Sequence, residues 1–195
     1  MSSLDNVIIT PMFSTPIYYA KTGYVVGEEI IKSLQDGFQM TRTGSYENDD
    51  YEILHKPQFS ELKAVLTEHV DAFWKQVLKY THNEWQFTTT WVNKNPKGTY
   101  HNLHKHPNSV LSGVYYIDVP ENSSGLTFHD PRERHLRLKP SLENEFTATQ
   151  AVVGVSSGDL ILFPSDIYHE VTKNEVDGMR ISLAFNTWFT GQLEY

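Results

Sequence analysis

The sequence has 195 residues, which we expect to fold as one domain, 1–195, large enough to bury a core without disulfides. It contains no cysteine, which excludes disulfide scaffolds, cysteine zinc sites and thiol nucleophiles; any metal must be held by His, Asp or Glu. The 16 Lys and Arg against 24 Asp and Glu give a net charge of −8, which argues against general nucleic-acid binding.

The sequence also carries information about location. The first residues lack a basic segment followed by a sustained apolar run, and nowhere are there roughly 18 consecutive apolar residues. We therefore expect a cytoplasmic protein that does not associate with membranes.

The N-terminal part, 1–84, is predicted to contain short strands and helices. Residues 7–20 read as one or two edge strands interrupted by prolines, and apolar spacing predicts a short helix over Val26–Leu34. Residues 41–52 are polar and aperiodic, which is typical of a surface connector, with a lid over a pocket as the alternative. The clearest helix spans Ser60–Tyr80, with Ser60 as its expected N-cap.

From Trp85 onward the apolar pattern has the period of two that indicates strands. Predicted strands, separated by turn residues, lie near 85–93, 100–106, 110–119, 125–130, 149–153, 159–163, 167–172 and 179–189. We expect a mainly β fold, a double-sheet jelly roll or Greek-key barrel with its core at about 85–190 and the N-terminal helices packed on one sheet. The polar segment 131–148 is predicted to be a long insertion between strands.

His104 and His106 are two residues apart, so on a strand both imidazoles point to the same face. Two neutral imidazoles suit iron, zinc, copper, nickel or cobalt but need a third ligand. The apolar strand before Pro164 leads through a turn to His169, which we expect at a sheet mouth. His101 is the nearest rival ligand, but strand alternation predicts that it points away from the pair.

A carboxylate site is predicted further along the chain. Arg180 and Ser182 share one face of an alternating strand. A guanidinium binds a carboxylate through two hydrogen bonds, and a hydroxyl two residues on can add another. The sequence thus predicts a carboxylate clamp beside a metal.

These residues resemble a known family, the iron(II)- and 2-oxoglutarate-dependent oxygenases. The resemblance rests on the run His-Lys-His-Pro-Asn-Ser-Val-Leu-Ser-Gly-Val-Tyr-Tyr, on Gly-Leu-Thr-Phe-His-Asp-Pro-Arg, and on Leu-Phe-Pro-Ser-Asp-Ile-Tyr-His-Glu-Val, similar to a branch of bacterial and phage members. It covers roughly residues 85 to 190. It implies a cupin-like double-stranded β-helix, with Fe(II), 2-oxoglutarate and O₂ as cofactor and co-substrates.

The resemblance also implies residue roles. His104 would be the first ligand and His169 the distal one, while Arg180 and Ser182 would bind the far carboxylate of 2-oxoglutarate. The co-substrate would also be reached by Tyr116, Asn93 and Asn95.

His106 departs from the family pattern, which places Asp there. A neutral imidazole in place of a carboxylate leaves iron one unit more positive, so the anionic co-substrate should bind more strongly. Three interpretations stay open: a working three-histidine site, a carboxylate supplied elsewhere with Asp130 as first candidate, or a site that binds metal but turns over poorly. The imidazole fills the space in which a halogenating branch admits chloride, which argues against halogenation.

The expected function is therefore hydroxylation of an unidentified small molecule or peptide with release of succinate and CO₂. The alternatives are a three-histidine cupin-like dioxygenase that does not use 2-oxoglutarate, and a non-catalytic metal-binding jelly roll. Segments 41–56 and 131–148 are expected to form the substrate entrance. The sequence leaves the oligomeric state open, a homodimer included.

Overall fold

The computed structural model describes residues 8–34, 37–132, 138 and 140–192. Two α-helices, α1 (Glu28–Ser33) and α2 (Ser60–Asp71), lie in the N-terminal part. Within the described part of the chain, no helix is long and apolar enough to span a lipid bilayer.

The described residues form eleven strands in two sheets, and all neighbouring strands are antiparallel. The strands are β1 (Tyr18–Lys21), β2 (Phe38–Met40), β3 (Tyr46–Asn48), β4 (Glu84–Pro96), β5 (His101–His104), β6 (Leu111–Asp118), β7 (Leu126–His129), β8 (Gln150–Val153), β9 (Asp159–Pro164), β10 (His169–Val171) and β11 (Met179–Thr190). The large sheet has the order β1-β9-β6-β11-β4-β3-β2, and the small sheet has the order β5-β10-β7-β8. This is the expected mainly β jelly roll.

Both faces of the large sheet are covered. Alternate side chains of its central strands pack into two different apolar clusters, one on each face. One face packs against α2 in a core that includes Leu66 and Val70 from the helix and Tyr115 and Leu183 from the sheet. The opposite face meets the small sheet in a second apolar cluster around Phe163. The N-terminal helix thus packs on one sheet as predicted, and the space between the sheets is left for a site.

Gly113 of β6 leaves room for an aromatic ring of the neighbouring strand β11. It lies opposite Phe185, and a β-carbon added there would come within 2.1 Å of the Phe185 ring. A side chain at this position would therefore displace a ring that is completely buried.

Several predicted boundaries shift in the structure. The polar segment 41–52 is not a plain connector: residues 46–48 form β3, which pairs with β4. Ser60 is the first helical residue rather than the N-cap, a position taken by Phe59, and the helix continues beyond Asp71 as a π-helical turn, Ala72–Val77. The first predicted strands reduce to β1, at the edge of the large sheet. The described part of the 131–148 insertion contains no strand, and residues 133–137 and 139 lie outside the described residues.

Candidate metal and 2-oxo acid site

Three histidines meet at the open end of the small sheet. β5 pairs with β10 so that His104 lies opposite His169, and their ring centroids are 4.3 Å apart. His106 follows the end of β5, and its ring centroid lies 5.1 Å from each of the other two. One potential ligand atom from each of the three lies within 4.8 Å of the others. The structure thus brings together the three predicted ligands.

Backbone hydrogen bonds orient two of these rings. Nδ1 of His104 lies 2.7 Å from the carbonyl oxygen of Asn102, and Nδ1 of His169 lies 2.9 Å from that of Ile167. Since a carbonyl can only accept, each Nδ1 carries the proton and each Nε2 keeps a free lone pair. The tautomers are those that a metal ligand requires.

The distance between ligand atoms fits a shared ion. Nε2 of His106 lies 3.3 Å from Nε2 of His169. Two imidazole nitrogens bound at about 2.1 Å to one ion, at angles between octahedral and tetrahedral, are about 3.0–3.4 Å apart. Imidazoles suit iron among the first-row metals, so the donor set fits an iron ion.

A serine network holds the loop that carries His106. The backbone N–H of His106 donates to the carbonyl of Ser165 (2.9 Å), and the Ser165 hydroxyl is 2.8 Å from those of both Ser109 and Ser112. Ser112 also donates to the side chain of Asn186 (2.7 Å). The serines of the two sequence motifs thus position the second histidine, a role that the sequence alone did not reveal.

Burial keeps two of the three histidines, His106 and His169, neutral. Desolvation, followed by the charge of His104, lowers the pKa of His106 to about 4. Desolvation lowers the pKa of His169 to about 3, although a hydrogen bond to the Ile167 carbonyl acts in the opposite direction. Neutral imidazoles can bind a metal at neutral pH without first losing a proton.

Arg180 lies in the same cavity, about 200 Å³ in volume, and is almost completely buried at 1 % exposure. Ser182 and Asn93 face each other across β11 and β4 and also line the cavity. Nη1 of Arg180 donates to Asn95 Oδ1 (3.3 Å), and the guanidinium carbon lies 5.0 Å from the centre of the Tyr116 ring. All five predicted co-substrate residues therefore line this cavity or contact its arginine.

The cavity lacks partners for its polar groups. Buried polar atoms without a hydrogen-bond partner among the described residues surround it: Asn93 Oδ1, Asn95 Nδ2, His101 Nε2, Tyr116 Oη and Arg180 Nε. No ion pair between described residues includes Arg180. Because a buried unpaired cation is costly, these groups fit an anionic ligand with several acceptor oxygens.

The prediction for His101 is wrong in one respect. It lines the cavity with the three ligands instead of pointing away. The cause is a bulge: His104 and His101 are three residues apart in β5 but lie opposite His169 and Val171, two residues apart in β10. Burial, followed by the charges of Arg180 and His104, lowers the pKa of His101 to about 4. His101 is not among the three clustered ligands.

The alternative of Asp130 as the third ligand does not fit the structure. The Asp130 carboxylate accepts hydrogen bonds from Nε (2.8 Å) and Nη2 (3.2 Å) of Arg132. It lines a different cavity of about 390 Å³, formed by residues 10–15, the β7 end and the described end of the 131–148 insertion. The carboxylate that does line the histidine cavity is Glu47, on β3.

Solved structures share this architecture at low sequence identity. HygX from Streptomyces hygroscopicus, with nickel and 2-oxoglutarate bound, is 16% identical with a TM-score of 0.58, covering 89% of this chain and 82% of that one. A Pseudomonas putida prolyl-4-hydroxylase is 15% identical with a TM-score of 0.58, covering 92% and 94%. The α-ketoglutarate-dependent epimerase SnoN from nogalamycin biosynthesis is 13% identical with a TM-score of 0.62, covering 89% and 78%. These likenesses establish the fold.

Sequence comparison identifies the family. Curated proteins give no significant match. Residues 89–186, about half of the chain, match the profile of the family described as "Putative 2OG-Fe(II) oxygenase". The matched segment runs from β4 to β11 and contains the three histidines and Arg180. The chain belongs to the 2OG-Fe(II) oxygenase family.

Proposed function

We propose that the protein is an Fe(II)- and 2-oxoglutarate-dependent dioxygenase that hydroxylates an aliphatic C–H bond of its substrate. The observation that carries the proposal is the pairing, within one cavity, of a three-histidine cluster with a buried arginine that has no ion-pair partner among the described residues. The histidine cluster suits a metal and the arginine suits an anion. A 2-oxo acid that chelates a metal and carries a second carboxylate requires both.

The histidines would hold the metal through nitrogen. His104, His106 and His169 offer Nε2 atoms from one side, which leaves the opposite side for co-substrates. Bound iron supplies chelation of the 2-oxo acid and activation of O₂. Non-haem iron oxygenases hold the metal with three protein ligands, usually two histidines and a carboxylate. The imidazole of His106 would keep the number of ligands at three without a carboxylate.

Arg180 would bind the distal carboxylate of 2-oxoglutarate. Its Nε lacks a partner, Asn95 fixes one of its terminal nitrogens, and the Tyr116 hydroxyl and Ser182 lie on the same face of the sheet. Two charge-assisted hydrogen bonds from a fixed guanidinium give both affinity and orientation. Apolar side chains such as Val114 and Leu126 complete the lining and limit access of water.

The overall reaction balances with these co-substrates. One oxygen atom of O₂ enters the substrate C–H bond to give an alcohol, and the other enters succinate as CO₂ leaves 2-oxoglutarate. The two electrons lost by the substrate and the two lost in decarboxylation together reduce one O₂. No further reductant is needed.

The solved structures support this assignment in general terms. HygX has been captured with nickel and 2-oxoglutarate and also with iron, and SnoN is a non-haem α-ketoglutarate-dependent enzyme. The P. putida protein is a prolyl-4-hydroxylase, so the fold accommodates hydroxylation of an aliphatic carbon. We carry over only the reaction class and propose a small-molecule or peptide substrate.

The decisive experiment is anaerobic titration of the purified protein with Fe(II) and 2-oxoglutarate. We expect one iron per chain, a weak visible charge-transfer band of the chelate, and succinate formation on admission of air. His169→Ala should lose the iron and the band, whereas His82→Ala, an exposed histidine outside the cluster, should retain both. A folded wild-type protein that consumes no 2-oxoglutarate at any iron loading would falsify the proposal.

We further propose a cytoplasmic location and action by the whole chain as one domain. Reducing conditions inside cells keep iron ferrous, and the absence of cysteine fits a compartment without disulfides. Cell fractionation with an antibody against the protein tests the location; recovery of the protein from the membrane fraction would contradict it.

A further inference from the structure

Glu47 and Arg180 are the acidic and basic side chains that, among the described residues, line the cavity together with the histidines. Glu47 lies on β3 opposite Asn93 of β4, and both line the cavity with the three histidines. Its ligand atoms are not part of the cluster in which all atoms lie within 4.8 Å. The carboxylate therefore faces the site without belonging to the metal cluster.

The Glu47 carboxylate is only partly satisfied. Oε1 accepts a hydrogen bond from the Tyr51 hydroxyl (3.1 Å). Among the described residues, no lysine, arginine or histidine forms an ion pair with Glu47. In the part of the chain that the structure describes, this partly buried carboxylate has no hydrogen-bond partner for its second oxygen and no cation in an ion pair with it. Such a group is matched by a ligand that brings its own positive charge.

Two aromatic rings link this carboxylate to the histidines by successive contacts, from Glu47 to Tyr51, from Tyr51 to Trp91 and from Trp91 to His106. Trp91 lies two residues before Asn93 on the same face of β4, and its ring centroid is 5.7 Å from that of His106 and 6.4 Å from that of Tyr51. Trp91 also lines the cavity. Indole faces attract cations as well as apolar groups, so Glu47, Tyr51 and Trp91 combine the two features of an ammonium site.

We propose that Glu47, with Tyr51 and Trp91, binds a protonated nitrogen of the substrate, a primary ammonium or guanidinium group, and places a neighbouring aliphatic carbon beside the metal. This inference rests on the proposed function and specifies the substrate class of the same site. Arg180 serves the co-substrate carboxylate, so the two charged residues divide the cavity between two ligands of opposite charge.

Matched pairs of compounds test the charge requirement. The probes are Nα-acetyllysine and Nα-acetylnorleucine, Nα-acetylarginine and Nα-acetylcitrulline, and glucosamine and glucose, each added to iron-loaded protein with saturating 2-oxoglutarate; the acetyl group removes the charge of the α-amine, so that each amino-acid pair differs only in the charge of the side chain. We expect the cationic member of at least one pair to stimulate succinate formation about tenfold or more over its neutral partner. Lysine within a capped tripeptide, compared with free lysine, distinguishes a protein-bound from a free source of the ammonium group.

Variants assign the effect to the carboxylate. Glu47→Gln should reduce the preference for the cation to within about twofold, while Fe(II) and 2-oxoglutarate still form the chelate band. Glu52→Gln removes an equal charge from an exposed position that does not line the cavity, and should retain the full preference.

Four results would overturn the inference: equal stimulation by both members of every pair, stimulation by none of them, an unchanged preference in Glu47→Gln, or loss of iron from that variant, which would make Glu47 part of the metal site. In each of these cases the wild-type chelate band leaves the proposed function standing. A wild-type protein without that band overturns the proposed function, and the substrate class with it.

Discussion

Replacing Arg180 with methionine should separate co-substrate binding from folding. The substitution keeps an unbranched side chain of similar length in a buried position but removes the charge and every donor. Two charge-assisted hydrogen bonds to a carboxylate contribute at least about 3 kcal/mol, so 2-oxoglutarate affinity should fall about 100- to 200-fold. Iron affinity should remain within about threefold, because Arg180 is not one of the clustered ligands.

The same change should not destabilise the unliganded protein. Burial lowers the pKa of Arg180 from its usual value, a sign that the charged form is costly in the folded state. Removing that charge gains several kcal/mol of desolvation, from which the lost bond to Asn95 and the oxygen left unpaired there subtract about 2–4 kcal/mol. We expect the free energy of unfolding to be unchanged or to rise by up to about 2 kcal/mol.

Urea unfolding with and without co-substrate measures both effects. At a 2-oxoglutarate concentration 100 times its wild-type Kd, with iron bound under anaerobic conditions, the wild-type protein should gain about 2.7 kcal/mol and the variant about 0.3 kcal/mol. Arg42→Met, at an exposed arginine in a turn, is the matched control and should respond like the wild type. An unchanged 2-oxoglutarate affinity in Arg180→Met would refute the assignment of the clamp.

Three further predictions concern the histidines and the sheet. His106→Asp places at this position the carboxylate that the family resemblance implies, and should bind iron and retain or increase turnover; loss of iron from the variant would contradict this expectation. Gly113→Ala should lower the free energy of unfolding by about 3 kcal/mol in urea because its β-carbon would overlap the Phe185 ring, whereas Gly154→Ala, with no atom within 4 Å, should be nearly neutral. Metal-free protein should lose stability as pH falls below 6.5. His106 and His169 have folded-state pKa values of about 4 and about 3, so the unfolded chain takes up protons first, at about 1.4 kcal/mol per pH unit for each histidine. A transition midpoint that is flat between pH 7 and pH 5 would contradict this.

The sequence predicted the long central strands β4, β6 and β11 well because each is long enough to show its alternation. β11 has 12 residues, and its sequence alone places Arg180 and Ser182 on one face of the strand. The short strands β2 and β3 have three residues each and a mixed polar composition, which is too little for a period to be recognised. Their pairing with the large sheet is a tertiary effect.

Some residues of the candidate site could likewise be predicted from the sequence, and others could not. The histidine pair and the distal histidine were accessible through spacing and motif, and the structure places them together. His101 was misplaced because a bulge is invisible to a rule of strict alternation. Glu47 was missed because it is far from the other residues in sequence and lies in a segment whose composition is typical of a connector; only the β3–β4 register brings it into the cavity.

Because β11 contributes to both the core and the cavity, the chain should tolerate insertions and deletions in this strand poorly. The residues of β11 contribute in turn to the helix-packed core, as Leu183 does, and to the cavity, as Arg180 and Ser182 do. A one-residue deletion within the strand would exchange the two sets, placing a guanidinium against the helix and a leucine where the co-substrate carboxylate should bind. Folding and catalysis would fail together, so we expect length variation in this family to fall in the segments between strands and to be excluded from β11.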